Sequence, residues 1–402
     1  MQPIKKIAIT GAGIISAIGN NVQENYNALI NEKSGIGDIQ FLETYYQGKL
    51  LAGEVKYTNE QLYSLLGLQP EKPFTRTSLL ALMAAQEACK SANISSADQI
   101  STGLISATTV GGMDASEKYY NEYLISDEHL KYIPTHHCGY HTEQLADYLG
   151  ITGFITTLST ACSSAANAIM LGARMLASGK LDRVIVGGAD ALSKFTLNGF
   201  NSLMIFSDEL CKPFDENRKG LNLGEAAAYL VLESEFSLKK TGNVPLAYIL
   251  GYGNANDAFH QTASSEDGEG AFLAMNKALE TSGLKSEQVD YINVHGTATP
   301  NNDLTEGKAI LRIFGGKEKV PPFSSTKAFT GHTLAAAGAI EAVFSVLALQ
   351  NQIIYPNLNF ENKIKELDII PCLKLQSAKL QHILSNSLGF GGNCTSLLIS
   401  GH

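Results

Sequence analysis

The sequence is poor in cysteine pairs, in charge and in long apolar runs. Its six cysteines lie at positions 89, 138, 162, 211, 372 and 394. Because no two of them have CxxC spacing, neither a zinc site nor a redox dithiol is predicted, and no metal is expected. Scattered, reduced thiols are typical of a cytoplasmic protein.

The longest apolar region, residues 334–349, contains Glu341 and falls short of the ~18 uninterrupted apolar residues of a membrane span. No apolar stretch of signal-peptide length follows the N-terminus. Charged residues make up 17% of the chain and the net charge is −9, so neither nucleic acid nor a membrane is expected as a partner. What is present is 402 residues, 44% of them apolar, with 37 glycines. This composition predicts a globular protein with a large core and many tight turns.

Strand-like and helix-like segments alternate in both halves of the chain. The predicted strands cover residues 6–10, 103–109, 155–160, 183–186, 247–250, 291–294, 385–387 and 396–400. The predicted helices cover residues 79–91, 165–178, 270–282 and 334–350. This alternation predicts an α/β fold with parallel or mixed sheets, and the similar rhythm of the two halves predicts a duplicated core.

The first predicted strand is followed by the sequence GAGIIS, which has two alternative interpretations. Gly11 and Gly13 match the start of a GxGxxG dinucleotide fingerprint, but Ser16 stands at the third glycine position. The alternative is a tight turn packed against the sheet. A dehydrogenase based on these glycines is the weakest functional hypothesis.

Cys162 lies where a predicted strand meets a predicted helix. The first turn of a helix has unsatisfied N–H groups and a partial positive charge, so we expect the pKa of this thiol to fall. The same N–H groups can hold a developing oxyanion. Ala161, Ser163 and Ser164 are small and would let an acyl chain approach. The alternative is a buried structural cysteine.

Two histidines follow predicted strands, where sites collect in α/β folds. His295 opens the sequence HGTATP, and His332 ends the sequence STKAFTGH, five residues after Lys327. Lys327 would adjust the electrostatic field at an active site or form an ion pair with Glu341. The alternative is a solvated loop lysine. The GFGG sequence at residues 389–392 has two alternative interpretations. It lets backbone approach a ligand, with the amide of Phe390 as a second oxyanion donor, or it is a simple turn.

One cysteine and two histidines fit a decarboxylating Claisen condensation. The thiolate holds an acyl group covalently. Decarboxylation of the second substrate supplies the carbanion, and two imidazole Nε2–H donors stabilise the enolate oxygen without a metal.

These motifs resemble those of a known family. The sequences STACSS, VHGTATP, STKAFTGH and GFGG, with KPFD from Lys212, GLNLGEAA from Gly220 and NDAFH from Asn256, resemble the elongating β-ketoacyl–acyl carrier protein synthases. The resemblance covers essentially the whole chain in order.

The resemblance implies a thiolase-like, duplicated five-layer α/β/α/β/α fold, with halves at residues 1–245 and 246–402. It implies acyl carrier protein as partner, with substrates carried on its phosphopantetheine and no other cofactor. It also implies a homodimer, with a heterodimer containing a chain-length-factor-like subunit as the alternative.

The resemblance also implies roles for individual residues. Cys162 is the expected acyl acceptor, His295 and His332 the decarboxylation pair, and Lys327 a supporting residue. The amides of Cys162 and Phe390 form the expected oxyanion hole. The other matching positions are Thr297 and Thr299 for the phosphopantetheine arm, Asp303, Glu306 and Glu341 for an inner acidic network, and Phe200 and Val110 for the acyl pocket. Phe390 is also expected to bind substrate.

The chain departs from the family pattern at several positions. Leu388 stands where the family has phenylalanine, and Asn393–Cys394 stand where it has Thr-Asn. In residues 133–138, His136, His137 and Cys138 stand where apolar residues near the dimer interface and acyl pocket are expected, which predicts short, unsaturated or aryl-bearing acyl groups. The alternative is that the histidines bond across the dimer interface and do not face the pocket. Arg76 and Lys131 are the basic residues expected to contact the carrier protein.

Two further hypotheses remain. A thiolase would use a second cysteine as base, but Cys394 is not at the expected position and coenzyme A substrates would be required. A non-catalytic subunit that sets chain length would lack the nucleophile, whereas Cys162, His295 and His332 are all present.

Overall fold

Strands and helices alternate along a computed structural model that describes residues 6–69, 72–94 and 100–402. The strands, β1 to β14 in chain order, are Ile7–Ile15, Gly37–Asp38, Leu51–Ala52, Thr102–Ala107, Ile155–Leu158, Arg183–Asp190, Ala226–Glu233, Ala247–Asn256, Tyr291–Asn293, Phe323–Ser324, Ile353–Ile354, Gln376–Ser377, His382–Leu388 and Asn393–Ser400. The helices, α1 to α12, are Val22–Ile30, Asn59–Leu66, Arg76–Ser91, Met113–Tyr119, Cys138–Leu149, Ser164–Ala177, Lys194–Ser202, Glu235–Thr241, Glu269–Ser282, Pro300–Phe314, Lys327–Thr330 and Ala337–Asn351.

A ten-stranded sheet runs through the protein in the order β10-β9-β13-β14-β8-β1-β7-β6-β4-β5. From each end, three parallel strands are followed by two antiparallel ones: β10, β9, β13, β14, β8 and β5, β4, β6, β7, β1. The two groups meet where β1 pairs with β8. The strand pattern therefore occurs twice, as expected of a duplicated core. The division into residues 1–245 and 246–402 stays a prediction, because strands of both halves form one continuous sheet.

Helices cover both groups of strands and also lie between them. Helices α6 and α12 contact each other and strands of both groups, α3 covers β1 and β7, and α9 covers β8 and β14. These contacts give the predicted five layers of α/β/α/β/α. The segment Leu334–Asn351 is apolar and long enough to cross a membrane, but 89% of it is buried inside the protein. A helix that is apolar on all sides and buried in this way is a core helix.

The glycines after the first predicted strand do not form a turn, because β1 continues through them to Ile15. A Cβ atom at Gly13 would lie 2.0 Å from the carbonyl oxygen of Ala84, and one at Gly11 would lie 2.3 Å from that of Ala88. Both glycines therefore let helix α3 pack closely on the strand. The hypothesis of a dinucleotide-binding turn is wrong, and so is the alternative of a tight turn.

Candidate active site

A cavity of about 360 Å³ brings together the reactive side chains that the sequence predicted. Cys162, His295, His332 and Phe390 all line it, although they come from four distant parts of the chain. The cavity lies at the ends of strands in both halves of the sheet, so the duplicated fold is what brings the cysteine to the histidines.

Cys162 lies between the end of β5 and the start of α6. Ala161, just before it, has φ of +53°, a left-handed conformation that costs energy for a residue with a Cβ atom. Ser164 stabilises this bend, because its Oγ accepts the Thr160 amide at 2.7 Å. The backbone amides of Cys162 itself and of Phe390 both donate towards the Cys162 sulfur. The two amides predicted to form an oxyanion hole therefore face one atom.

The prediction that the pKa of Cys162 falls is wrong. Burial raises the pKa of the Cys162 thiol to about 11, although the charge of Lys327 and the amide of Phe390 act in the opposite direction. Loss of hydration disfavours the thiolate more than a helix terminus favours it. The resting residue is therefore a thiol at neutral pH, and its proton must leave when it is acylated.

The two histidine rings meet edge to face, with centroids 5.3 Å apart. His332 Nδ1 accepts the Leu334 amide at 3.1 Å, and His295 Nδ1 lies 3.2 Å from the Lys327 ammonium. Since each Nδ1 faces a donor, each neutral ring carries its proton on Nε2. Burial and the charge of Lys327 hold the pKa of both rings well below the ordinary value. The pair thus presents two neutral Nε2–H donors.

Lys327 is 3% exposed and forms an ion pair with buried Glu341, so it is not a solvated loop lysine. Its ammonium also donates to the carbonyl oxygen of His295 at 2.6 Å. Burial raises the pKa of Glu341 to about 7, against the lowering effect of Lys327. Lys327 therefore fixes both the ring and the backbone carbonyl group of His295.

Two further acidic residues hold the loop that begins at His295. Glu306 accepts the amides of His295 and Gly296 at 2.8 and 2.9 Å, and burial raises its pKa to about 7. Asp303 accepts the amides of Ala298 and Phe214 at 3.1 and 2.7 Å. Both carboxyl groups shape the site without lining the cavity.

The predicted substrate-binding residues divide into two groups. Thr297 and Thr299 line the cavity with hydroxyl oxygens 2.9 Å apart. Phe200 lines it too, and its ring stacks on that of Phe390 with centroids 5.9 Å apart. Val110 packs against the same apolar cluster as Phe200 but does not line the cavity.

Arg76, expected to contact a carrier protein, is engaged inside the protein instead. Its guanidinium forms an ion pair with Glu225 at 2.6 Å and donates to the Val55 carbonyl at 3.2 Å. The expectation is therefore wrong, because these donors are already used. Lys131 is exposed, with its ammonium 5.7 Å from the centre of the Tyr132 ring.

The polar stretch expected near the acyl pocket lies outside the cavity of a single chain. His136 is exposed and bonds to Ser116 at 2.9 Å. His137 is also exposed and caps α5 by accepting the Gly139 amide. Neither histidine nor Cys138 lines the cavity, so the argument for a short or unsaturated acyl group loses its premise within one chain.

No role was predicted for a network of asparagines next to the cysteine. Asn393 Oδ1 accepts the side-chain amides of Asn167 and Asn254 at 2.8 and 3.0 Å and lies 2.7 Å from Ser163 Oγ. Asn393 stood out only as a departure from the family pattern, and the other two carried no recognisable signal because their contacts are distant in sequence.

Family models match both halves of the chain. The model for the N-terminal domain of β-ketoacyl synthases matches residues 5–236, and the model for the C-terminal domain matches residues 246–361. The chain belongs to the β-ketoacyl synthase family. It is therefore an acyltransferase that forms carbon–carbon bonds between acyl thioesters, as the resemblance implied, and not a dehydrogenase.

Known members are similar over their full length. The chain is 34% identical to 3-oxoacyl-[acyl-carrier-protein] synthase 2 of Staphylococcus aureus, covering 98% of this chain and 97% of the relative. The Vibrio cholerae protein of the same name is 32% identical, with 98% of each chain covered. Among solved structures, the ishigamide ketosynthase/chain length factor is 28% identical, with a TM-score of 0.91 over 99% of this chain and 100% of that one. The ketosynthase ApeO in complex with its chain length factor ApeC, from Xenorhabdus doucetiae, is matched at 31% identity and a TM-score of 0.86, over 99% and 98%.

Proposed function

We propose that this β-ketoacyl synthase lengthens an acyl group held on Cys162 by two carbons, taken from a malonyl group on an acyl carrier protein. The observation that carries the proposal is the cavity itself. It combines one thiol, two amides directed at its sulfur, and two neutral Nε2–H donors. The thiol and the amides are needed for acyl transfer, and the two Nε2–H donors are needed for decarboxylation.

The first step transfers the acyl group to the enzyme. The Cys162 thiol loses its proton, and the sulfur attacks the thioester carbonyl of the acyl carrier. The amides of Cys162 and Phe390 hold the resulting oxyanion. The bond to the carrier sulfur then breaks, and the departing thiolate takes up the proton that Cys162 lost.

The second step forms the new carbon–carbon bond. The malonyl carboxylate leaves as carbon dioxide, and its electron pair moves into the thioester to give an enolate. The Nε2–H groups of His295 and His332 donate to the enolate oxygen. The carbanion attacks the acyl carbonyl on Cys162, the C–S bond breaks, and the released Cys162 thiolate takes up a proton from solvent. This sequence needs no cofactor besides the phosphopantetheine of the carrier, for which Thr297 and Thr299 are the proposed contacts.

The proposed partners are an acyl carrier protein and a second subunit. A related ketosynthase has been solved in complex with its acyl carrier protein, and others with chain length factors. In this chain, β5 is the last strand of the sheet, and Phe154 and Ile155 are 39% and 38% exposed. An outer strand with exposed apolar residues supports a dimer, either of two identical chains or with a chain-length-factor-like subunit. Six free cysteines support a cytoplasmic location.

The test is mass spectrometry of the Cys162 peptide after incubation with acyl carrier proteins. Two primers, saturated C14 and a short polyene, are compared under the same conditions. An acyl mass on Cys162, and loss of that mass when malonyl carrier is added, supports the proposal. A mass found only on another cysteine would overturn it, and the faster primer identifies fatty-acid or polyene elongation.

A further inference from the structure

Asn393 connects the two backbone segments that provide the proposed oxyanion hole. It directly follows the turn that contains Phe390, and its carbonyl accepts the Gly389 amide at 2.8 Å. Its side-chain oxygen bonds to Asn167 on α6 and lies 2.7 Å from the hydroxyl of Ser163, the residue after the nucleophile. One residue therefore contacts both the turn and the start of the helix.

Two further residues of the C-terminal half strengthen the contact between Asn393 and α6. Asn254 on β8 donates to Asn393 Oδ1 at 3.0 Å, and Thr395 on β14 donates to Asn167 Oδ1 at 2.8 Å. Asn167 also donates to the Thr160 hydroxyl at 2.9 Å, just before the bend at Ala161. Since these residues come from both halves of the chain, the network ties the cysteine-bearing half to the half that carries Phe390.

The two segments pack closely at Gly389. A Cβ atom at this position would lie 2.9 Å from the Thr160 carbonyl oxygen and 3.2 Å from Ser163 Oγ. The turn and the junction are thus closely packed, and the bonds of Asn393 join the same two segments.

We propose that Asn393 is a positioning residue that holds the amides of Phe390 and Cys162 in the geometry needed to donate to one oxyanion. The inference rests on the proposed function, because it assigns no reaction of its own. Asn393 does not line the cavity. It acts through the two amides.

The proposal separates two reactions of the same enzyme. Acylation of Cys162 depends on the amide pair, whereas the enolate formed by decarboxylation is held by His295 and His332. Those rings are fixed by Lys327 and the Leu334 amide, which are outside the asparagine network. Disturbing Asn393 should therefore slow acylation and spare the release of carbon dioxide.

The experiment compares Asn393→Leu with Asn243→Leu. Asn243 likewise loses side-chain hydrogen bonds, to the Ala92 carbonyl and to Glu233, and does not line the cavity, but it lies outside the asparagine network. For Asn393→Leu, the rate of Cys162 acylation is expected to fall ~10–100-fold, the effect of misplacing a reacting group by about 1 Å. Carbon dioxide release from malonyl carrier should stay within about twofold of the unmodified enzyme, and Asn243→Leu should leave both rates unchanged.

A double variant tests whether Asn393 acts through its contact with α6 or only through a general loss of stability. If Asn393 acts through α6, adding Asn167→Leu to Asn393→Leu should slow acylation less than the product of the two single effects. An equal fall in acylation and decarboxylation, or an unchanged acylation rate, would overturn the inference. If the unmodified enzyme takes no acyl group onto Cys162, the proposed function itself fails, and this result is distinct from any effect of Asn393.

Discussion

Two cavities of nearly equal volume, about 360 and 370 Å³, differ in what their polar groups are bonded to. The second cavity is the more highly charged, and Glu54, Arg76, Asp114, Glu117 and Glu225 are among the residues that line it. Its carboxylates are nevertheless engaged in the fold. Glu54 accepts three successive loop amides, Glu117 accepts two amides at the start of α7, and Glu225 pairs with Arg76.

The catalytic cavity has fewer charges, but its hydrogen bonds leave reactive atoms available. Internal bonds occupy Nδ1 of His295 and of His332, which leaves the proton of each neutral ring on Nε2. The amides of Cys162 and Phe390 interact with the Cys162 sulfur and act to lower its pKa. A cavity rich in titratable groups is therefore not by itself a site. A reactive site also needs donor atoms that are not used in hydrogen bonds that hold the fold together.

The largest effect should come from removing an enolate donor. His295→Ala or His332→Ala should lower carbon dioxide release from malonyl carrier by ~10²–10³-fold while Cys162 still takes up an acyl group. His382→Ala, on β13 and bonded to the Gln288 carbonyl, is the matched control and should change neither rate. Normal decarboxylation in both cavity variants would remove the histidines from the mechanism and weaken the distinction between the two cavities.

Lys327 should matter for stability as well as for chemistry. Lys327→Met leaves Glu341 as a buried, unpaired carboxyl group, and breaking such a pair from one side costs about 3–5 kcal/mol in the free energy of unfolding. The double variant Lys327→Met with Glu341→Gln removes the stranded charge and should recover part of that loss. Denaturant unfolding measures both. If the double variant is no more stable than the single one, the ion pair is not what Lys327 contributes.

The protonation of Cys162 can be tested through its reactivity. With its pKa raised to about 11 by burial, the thiolate fraction should grow throughout the neutral and weakly alkaline range. Alkylation of Cys162 by iodoacetamide should therefore accelerate ~10-fold per pH unit from pH 7 to pH 9. The Cys162→Ala variant supplies the background from the other cysteines. A rate that levels off near neutral pH would mean that the helix terminus outweighs burial after all.

Prediction from sequence succeeded where a property depends on neighbouring residues and failed where it depends on distant ones. The alternation of strands and helices, and the loops that carry His295 and His332, follow from local patterns. The pKa of Cys162 depends instead on how deeply the whole fold buries it. Arg76 looked available because its partner, Glu225, lies 149 residues away. The role proposed for Asn393 likewise depends on contacts with α6 and β8 that no short motif encodes.

The smallest expected effect concerns the second cavity, and it completes the comparison. Glu54 is 2% exposed and accepts the amides of Gln40, Phe41 and Leu42 at 2.6 to 3.1 Å. Glu54→Gln replaces one accepting oxygen with a donor that faces these amides, so the free energy of unfolding should fall by about 1–3 kcal/mol. Acylation of Cys162 and carbon dioxide release should remain unchanged at a temperature where the variant is folded.

The matched control for Glu54→Gln is Glu43→Gln, which alters an exposed carboxylate of the same cavity and should leave stability unchanged. Thermal unfolding and the two rate assays together show whether Glu54 contributes to stability or to catalysis. If Glu54→Gln lowered either rate without lowering stability, the second cavity would have a part in catalysis. Its charged groups would then have to be counted among the reactive atoms, and the contrast between the two cavities would no longer hold.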